Sequence, residues 1–305
     1  TGKVPKSSGR ALARSPHSTY LFNNRSNRHG RLKLLNLDGR PYRLDERAHQ
    51  CVASTMVSIT ARKNAFHQML QQWGWFNVSL FVLNRVLVMI SKGNLRLYRY
   101  YLIAQPVAKT SLLPPGRGKK IEIRVIQPHD EITRQFPRPA VAIEARFEQG
   151  AKCLVAVKEE QFIGFLWLLL GSYQEDEVRA RYTPLPAKQA AWDFDVYVAP
   201  DSRLGLTFPR LWDEANRVLS ENDILWSCSR ISAFNIGSLG AHARLGTVSL
   251  GSSIFFCAGR WQITFASISP YFHLSLNPES FPEFCLNTQG LGKNSFADHD
   301  KPTME

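Results

Sequence analysis

The chain has 305 residues, 44 % of them apolar, enough for one large or two small domains around a sizeable core. Its 17 prolines and 19 glycines are ordinary usage, which excludes a repetitive or low-complexity protein. Of the formal net charge of +13, residues 1–63 hold a net +10 (13 Lys/Arg against Asp38, Asp45 and Glu46), so the remainder is nearly neutral and nucleic-acid binding by it ranks last.

Five cysteines, Cys51, Cys153, Cys228, Cys257 and Cys285, are scattered without a Cys-x-x-Cys pair, so neither a zinc site nor a disulfide framework is expected. No uninterrupted apolar run reaches the ~18 residues of a membrane span, and the first sixty residues lack the apolar stretch of a secretory signal. A cytoplasmic protein is the expectation.

Thr1 to about Lys63, rich in Ser, Arg, Asn and His, reads as a disordered basic tail. The first methionine is Met56, so one expectation is that translation starts at Met56 or Met69 and that residues 1–55 are not native; a nucleic-acid-binding arm or a transit peptide is the alternative. Residues 64–107 read as an amphipathic helix plus a strand. Phe66, Met69, Leu70, Trp73, Phe76, Leu80, Leu83 and Leu87 recur at helical spacing over Ala65 to Ile90. Val78 to Ile90 is apolar almost all round, which leaves two readings open: packing on the domain or a second subunit of a homodimer, or peripheral membrane contact through residues 66–90. Leu95 to Val107 alternates as a strand, and residues 108–120 are a Pro/Gly/Lys linker at which a domain boundary is placed.

The domain that follows is set at residues 121–276. A short strand (Ile121 to Ile126) precedes two helices (Glu131 to Phe136, Ala140 to Gln149), whose Glu144, Arg146 and Glu148 are candidates to line an acceptor wall. A hairpin over Ala151 to Lys158 and Gln161 to Leu170 turns at Glu159-Glu160, and the acidic stretch Glu175-Asp176-Glu177 is read as a solvated loop or a lure for a cationic amine. Trp192 to Val198 alternates, with Trp192, Phe194, Val196 and Val198 on one face and Asp193, Asp195 and Tyr197 on the other. Ala199 to Gly205 is a turn, and Thr207 to Ser220 a helix with Phe208, Leu211, Trp212, Ala215, Val218 and Leu219 in one stripe. Unpaired N–H groups at its start, together with Arg203, suit a phosphate-bearing ligand. A strand (Ile224 to Ile231), a short helix near Asn235 to Gly246 and a hairpin (Val248 to Phe256, Arg260 to Ser267) complete the domain, and residues 277–305 read as a loop-rich tail.

The order strand, turn, helix, strand, short helix over Trp192 to Gly246 resembles the GNAT superfamily of acyl-CoA-dependent N-acyltransferases, across roughly Ile121 to Phe265. Asn235, Ser238 and Gly246 match the family's Asn-x-x-Ala/Ser-x-x-x-Tyr-x-x-x-Gly-Phe pattern, with His242 in the place of Tyr and Thr247 after the glycine. The family's Arg-Gly-x-Gly-x-Gly loop is reduced here to Arg203-Leu204-Gly205-Leu206-Thr207-Phe208, with one glycine. The resemblance implies an α/β (α+β) fold with a mixed, mostly antiparallel, splayed sheet flanked by helices.

It also implies an enzyme, an N-acetyltransferase moving an acetyl group from acetyl-CoA, or another acyl-CoA, to a small-molecule or peptide amine by direct transfer, without a metal. Arg203, Leu204, Gly205, Leu206, Thr207 and Phe208 would then hold the pyrophosphate, with Asn235 and Ser238 beside it. Tyr197, Val198 and Ala199 would pair with the pantetheine. His242 would protonate the leaving thiolate, and Asp193 or Asp195, one raising the other's pKa, would deprotonate the amine. Arg230 is an alternative partner for Asp195, which would make both structural, and Asn235 suits a helix cap. Two other functions stay open: a long-chain N-acyltransferase acting on an amino acid or envelope component at the membrane surface, and a catalytically inactive CoA-binding module.

Overall fold

The computed structural model describes residues 70–291; the basic tail, the expected helix start at 65–69, Cys51 and residues 292–305 lie outside the described residues. In chain order the elements are α1 (Leu70–Ile90), β1 (Leu95–Pro106), β2 (Glu122–Ile126), a 3-10 turn (Glu131–Gln135), α2 (Ala140–Glu148), β3 (Lys152–Lys158), β4 (Gln161–Leu169), β5 (Tyr173–Gln174) and β6 (Arg181–Leu185). Then come β7 (Ala190–Val198), α3 (Thr207–Ser220), β8 (Trp226–Ser232), α4 (Ile236–Ala243), β9 (Val248–Ala258), β10 (Trp261–Ala266), β11 (Phe272–Ser275) and β12 (Glu283–Asn287).

Nine strands form one sheet in the order β11-β10-β9-β1-β8-β7-β4-β3-β2, and β12-β6-β5 form a small second sheet. Every pair in the large sheet is antiparallel except β7–β8. The strand read as lying before the linker is hydrogen-bonded into the sheet's middle: Leu102 of β1 stands opposite Arg230 of β8 and Gly251 of β9. Residues 108–120 therefore connect two strands of one sheet and run along α3, where Asp213 accepts from Ser111 Oγ (2.8 Å) and the Leu112 N–H (2.6 Å).

Each face of the sheet carries its own core. On one side Trp167, Trp192, Phe165 and Tyr100 pack with Phe136 and Ile143 and with Tyr173, Tyr182 and Phe284 from the small sheet. On the other, α3 buries Leu211, Trp212, Ala215, Val218 and Leu219 against Leu154, Leu166 and Leu168. The all-apolar run of β4 is thus covered on both faces, as its composition requires. The tail expected from residue 277 contains β12, which pairs in parallel with β6 and places Phe284 and Leu286 in the core. Its alternation of buried and exposed residues is that of a strand with one covered face.

Candidate functional site

The organising feature is a fork. β7 and β8 pair only at Ala190–Trp226, Ala191–Ser227 and Trp192–Cys228; beyond Trp192 they are no longer paired. The open end of the fork is bounded by the turn after Val198 on one arm and by Phe234-Asn235 and α4 on the other.

A β-bulge breaks the alternation of β7. Asp195 and Val196 stand against the single residue Leu166 of β4, and Asp195 adopts φ +47°. The faces consequently switch: Trp192, Phe194 and Tyr197 pack on the α2 side, while Val196 and Val198 pack toward α3. This corrects the single face expected for Trp192, Phe194, Val196 and Val198. Gly164 of β4 is required beside the bulge, because a Cβ there would come within 2.6 Å of the Tyr197 carbonyl and 3.3 Å of Thr207.

The two aspartates part company. Asp193 is fully buried at the closed end of the fork, where Ser227 Oγ donates to it (2.5 Å). Burial pushes its carboxyl up to about 7, against the opposing pull of the Ser227 and Ser229 hydroxyls; Asp195 plays no part, contrary to the expected mutual shift. Asp195 instead accepts from Arg138 Nε (2.7 Å) and Nη2, and from Arg146 Nη1 (2.6 Å). It is the counter-charge of two arginines, and Arg230 is not its partner.

Arg230 bonds Glu175 through Nε (2.9 Å) and Nη2 (2.7 Å) and lies over the Tyr100 ring (4.3 Å). Arg146 reaches Asp176 as well (2.7 Å). Burial alone would raise Asp176, but Arg146 holds it below the usual carboxylate range. Within the acidic stretch Glu175 is buried against Arg230, while Asp176 and Glu177 stay exposed; all three pair with arginines on α2 and β8. Of the residues proposed for the acceptor wall, Glu144 and Glu148 line a cavity of about 560 Å³ with Phe136, Arg138, Ile143 and Phe147, whereas Arg146 turns inward to this ion network.

His242 lies in the last turn of α4, buried, with its ring edge-on to Phe208 (5.9 Å) and Trp212 (5.6 Å) of α3. Nδ1 faces Gln105 Oε1 (3.2 Å); with Nδ1 assigned the proton, Nε2 is an acceptor. Burial takes its pKa down to about 4, so the ring is neutral near pH 7 and is no proton donor there, against the near-neutral value expected. Asn235 caps α4, accepting from the Ser238 N–H (3.0 Å). Ser238 is half-buried and Asn235 exposed.

In the turn, Gly205 N–H donates to the Ser202 carbonyl (3.1 Å), so this glycine closes a turn rather than aiming its N–H outward. Leu204 is fully exposed, and Leu206 is the N-cap of α3, whose first turn has no side-chain cap. The Thr207 side chain is buried, and Phe208 is half-buried against the α3-side core. Arg203 folds back so that Nε donates to the Val198 carbonyl (3.2 Å). The Ala199 N–H donates to Ile163 of β4 (2.8 Å), and Tyr197 and Val198 stand opposite Phe165 and Gly164. Sequence reasoning missed Arg138, the bulge and Gln105; only Arg138, between Pro137 and Pro139, carried a local signal. Among the described residues no group of three His, Cys, Asp or Glu is placed to hold a metal.

No protein-family model matches this sequence, and no curated protein matches it. Solved structures show distant likeness. A functionally unknown conserved protein from Staphylococcus epidermidis shares 11 % identity over 57 % of this chain and 66 % of its own, with a TM-score of 0.41. A tandem GNAT protein from the clavulanic acid biosynthesis pathway shares 13 % over 56 % of this chain and 54 % of its own (TM-score 0.38). A ribosomal-protein-alanine N-acetyltransferase from Brucella melitensis shares 20 % over 41 % of this chain and 83 % of its own (TM-score 0.30). The chain spans less than two thirds of the first two of these structures. What places the fold is its own topology: an antiparallel run β2-β3-β4-β7, a bulge in β7, a crossover through α3, and one parallel pair that splays. The chain has a mixed α/β fold with a mostly antiparallel sheet and the parallel pair β7–β8 at its fork, the arrangement that the resemblance to the GNAT superfamily implies.

Proposed function

We propose that the protein is an acyltransferase that moves an acyl group, most simply acetyl, from acyl-CoA to a primary amine. The observation that carries this reading is the β7–β8 fork running out to the uncapped start of α3 beside Arg203. Positive charge and first-turn N–H groups there suit a pyrophosphate. The strand edges beyond Trp192 have backbone groups to offer an amide-bearing arm. Bound acyl-CoA would supply the activated thioester.

The amine nitrogen bonds to the acyl carbon, the carbon–sulfur bond breaks, and the proton lost by nitrogen equals the one the thiolate takes up. Asp193, held near 7 at the closed end of the fork, has the strength for that proton traffic. Asp195 is committed to two arginines. Cys228, buried with its thiol pushed well up, is no nucleophile in this scheme.

A long acyl chain is the second reading. It is favoured by Trp73 and Phe81 of α1, which pack on Phe234 at the open end of the fork and extend it with apolar surface.

Calorimetric titration with acetyl-CoA and desulfo-CoA, for the parent and Arg203→Glu, tests the site. Micromolar binding lost by at least tenfold on charge reversal is the expected result, and absence of binding by folded parent would sink the CoA reading. Asp193→Asn should keep that affinity while lowering kcat about 10²-fold. Binding without acylation of any amine in a broad panel, at any chain length, would leave an inactive CoA-binding module.

A further inference from the structure

α1 is built inside out. Its asparagines face the protein: Asn77 donates to Tyr101 Oη (3.1 Å) and accepts from Arg99 (2.6 Å), and Asn84 accepts from the Leu97 N–H (2.8 Å). Trp73 and Phe81 also turn inward onto Phe234, but a second set of large apolar side chains faces away, with Trp75 75 %, Met89 72 % and Ile90 65 % exposed. A surface helix in water shows the reverse pattern. Among the described residues it is the one helix long and apolar enough to cross a membrane by length and composition, yet the asparagine bonds dock it against β1.

The same face of the sheet extends this surface. In antiparallel register Arg99 stands opposite Ile254, Ile254 opposite Phe265, and Phe265 opposite Phe272. Directly opposed residues share a face, so Phe265 and Phe272 lie on the side that carries α1, and both are exposed. Leu95, Ala258 and Trp261 form a parallel row, and Trp261 is exposed too. The seam between helix and sheet is closed by the Gly259 N–H, which donates to the Asn94 carbonyl (3.1 Å) and sets the α1–β1 turn beside the β9–β10 turn. Contiguous exposed apolar surface of this kind marks an interaction site.

Charge says what covers it. No Asp or Glu occurs between Glu46 and Glu122, nor between Asp223 and Glu279, and these two stretches make α1, β1 and β8 to β11. The exposed charges on the helix and at the seam are Arg85, Lys92 and Arg260. A second copy meeting this face through a two-fold axis would bring like charge to like charge. A negatively charged lipid surface complements it.

We propose that this face, α1 together with the β9–β11 sheet, rests on an anionic lipid bilayer. Trp75 and Trp261 anchor at the interface, Met89, Ile90, Phe265 and Phe272 enter the acyl boundary, and the three cations meet lipid phosphates. The proposal is independent of the acyl-transfer reading.

The test is flotation of the full chain with vesicles of phosphatidylcholine alone or mixed with phosphatidylglycerol, beside Met89→Asp and Trp261→Asp. Both substitutions are at exposed positions, and circular dichroism melts establish that the fold is kept. The parent should partition to the mixed vesicles, and part of that binding should survive about 0.5 M salt, where contacts of charge alone are screened. Each substitution should weaken partition about tenfold. Three results would overturn the proposal: no partition, binding that vanishes with salt and is equal in parent and variants, or a dimer broken by the same substitutions in a protein that ignores vesicles.

Discussion

Asp193 and His242 are shifted in opposite directions by the same cause, burial, and their effects on stability oppose each other. Folded Asp193 keeps its proton up to about pH 7, whereas the unfolded carboxyl loses it near 3.8. Its stabilising contribution is therefore present at low pH and is lost as pH rises through that window. Folded His242 stays neutral down to about pH 4, whereas the unfolded ring takes up a proton below 6.5. Its contribution is present above 6.5 and is lost as pH falls toward 4. Across that shared range the slopes cancel. Asp193→Asn should make stability climb with pH more steeply than in the parent, and His242→Gln should make it fall, by urea unfolding at a series of pH values. Superimposable profiles for all three proteins would show that neither group is shifted. Asp195 predicts something different. Asp195→Asn leaves Arg138 and the buried Arg146 with only Asp176 as counter-charge, so it should cost about 2 kcal/mol of stability, read as a shifted urea midpoint. A midpoint that does not move would mean the pairs are screened by water.

At the scale of elements, the helices and strands from β1 to β10 were legible apart from β5 and β6, because each carries its period in its own side chains: the α3 stripe, the β4 apolar run, the alternation of β1. What was not legible was set by partners distant in sequence. The face assignment in β7 failed after Phe194 because the bulge depends on Leu166 across the sheet, and nothing in Trp-Asp-Phe-Asp-Val-Tyr-Val marks where the extra residue falls. β11 and β12 are four and five residues long, among Pro, Ser and Asn, and acquire strand character only by pairing with β10 and β6. The site divided in the same way. Asn235 as the cap of α4 was readable from spacing, since a cap is local. The arginine partners of Asp176 and Asp195 come from α2 and from Arg138 just before it, reached only through the tertiary fold.

For the molecule as a whole, the decisive strand is the earliest one described. β1 separates β8 from β9, which do not pair with each other, so the sheet is held together through a segment that precedes the linker at 108–120. A chain of residues 108–305, cut at that linker, should leave both neighbours with open edges and Tyr100, Leu102 and Ala104 missing from the core. It should be recovered aggregated or without a cooperative melt, and a soluble, cooperatively melting fragment would show that the two sides can close without β1.

The placement of β1 also orders events during synthesis. Its partners β8 and β9 leave the ribosome only after more than a hundred further residues have been made, a delay on the order of ten seconds at ordinary elongation rates. Throughout that interval α1 and β1 are outside with no sheet to join, an apolar and acid-free nascent segment. Strictly sequential strand-by-strand folding is therefore barred to this topology: the middle strand of the sheet is translated before every other described strand and must wait for both of its neighbours.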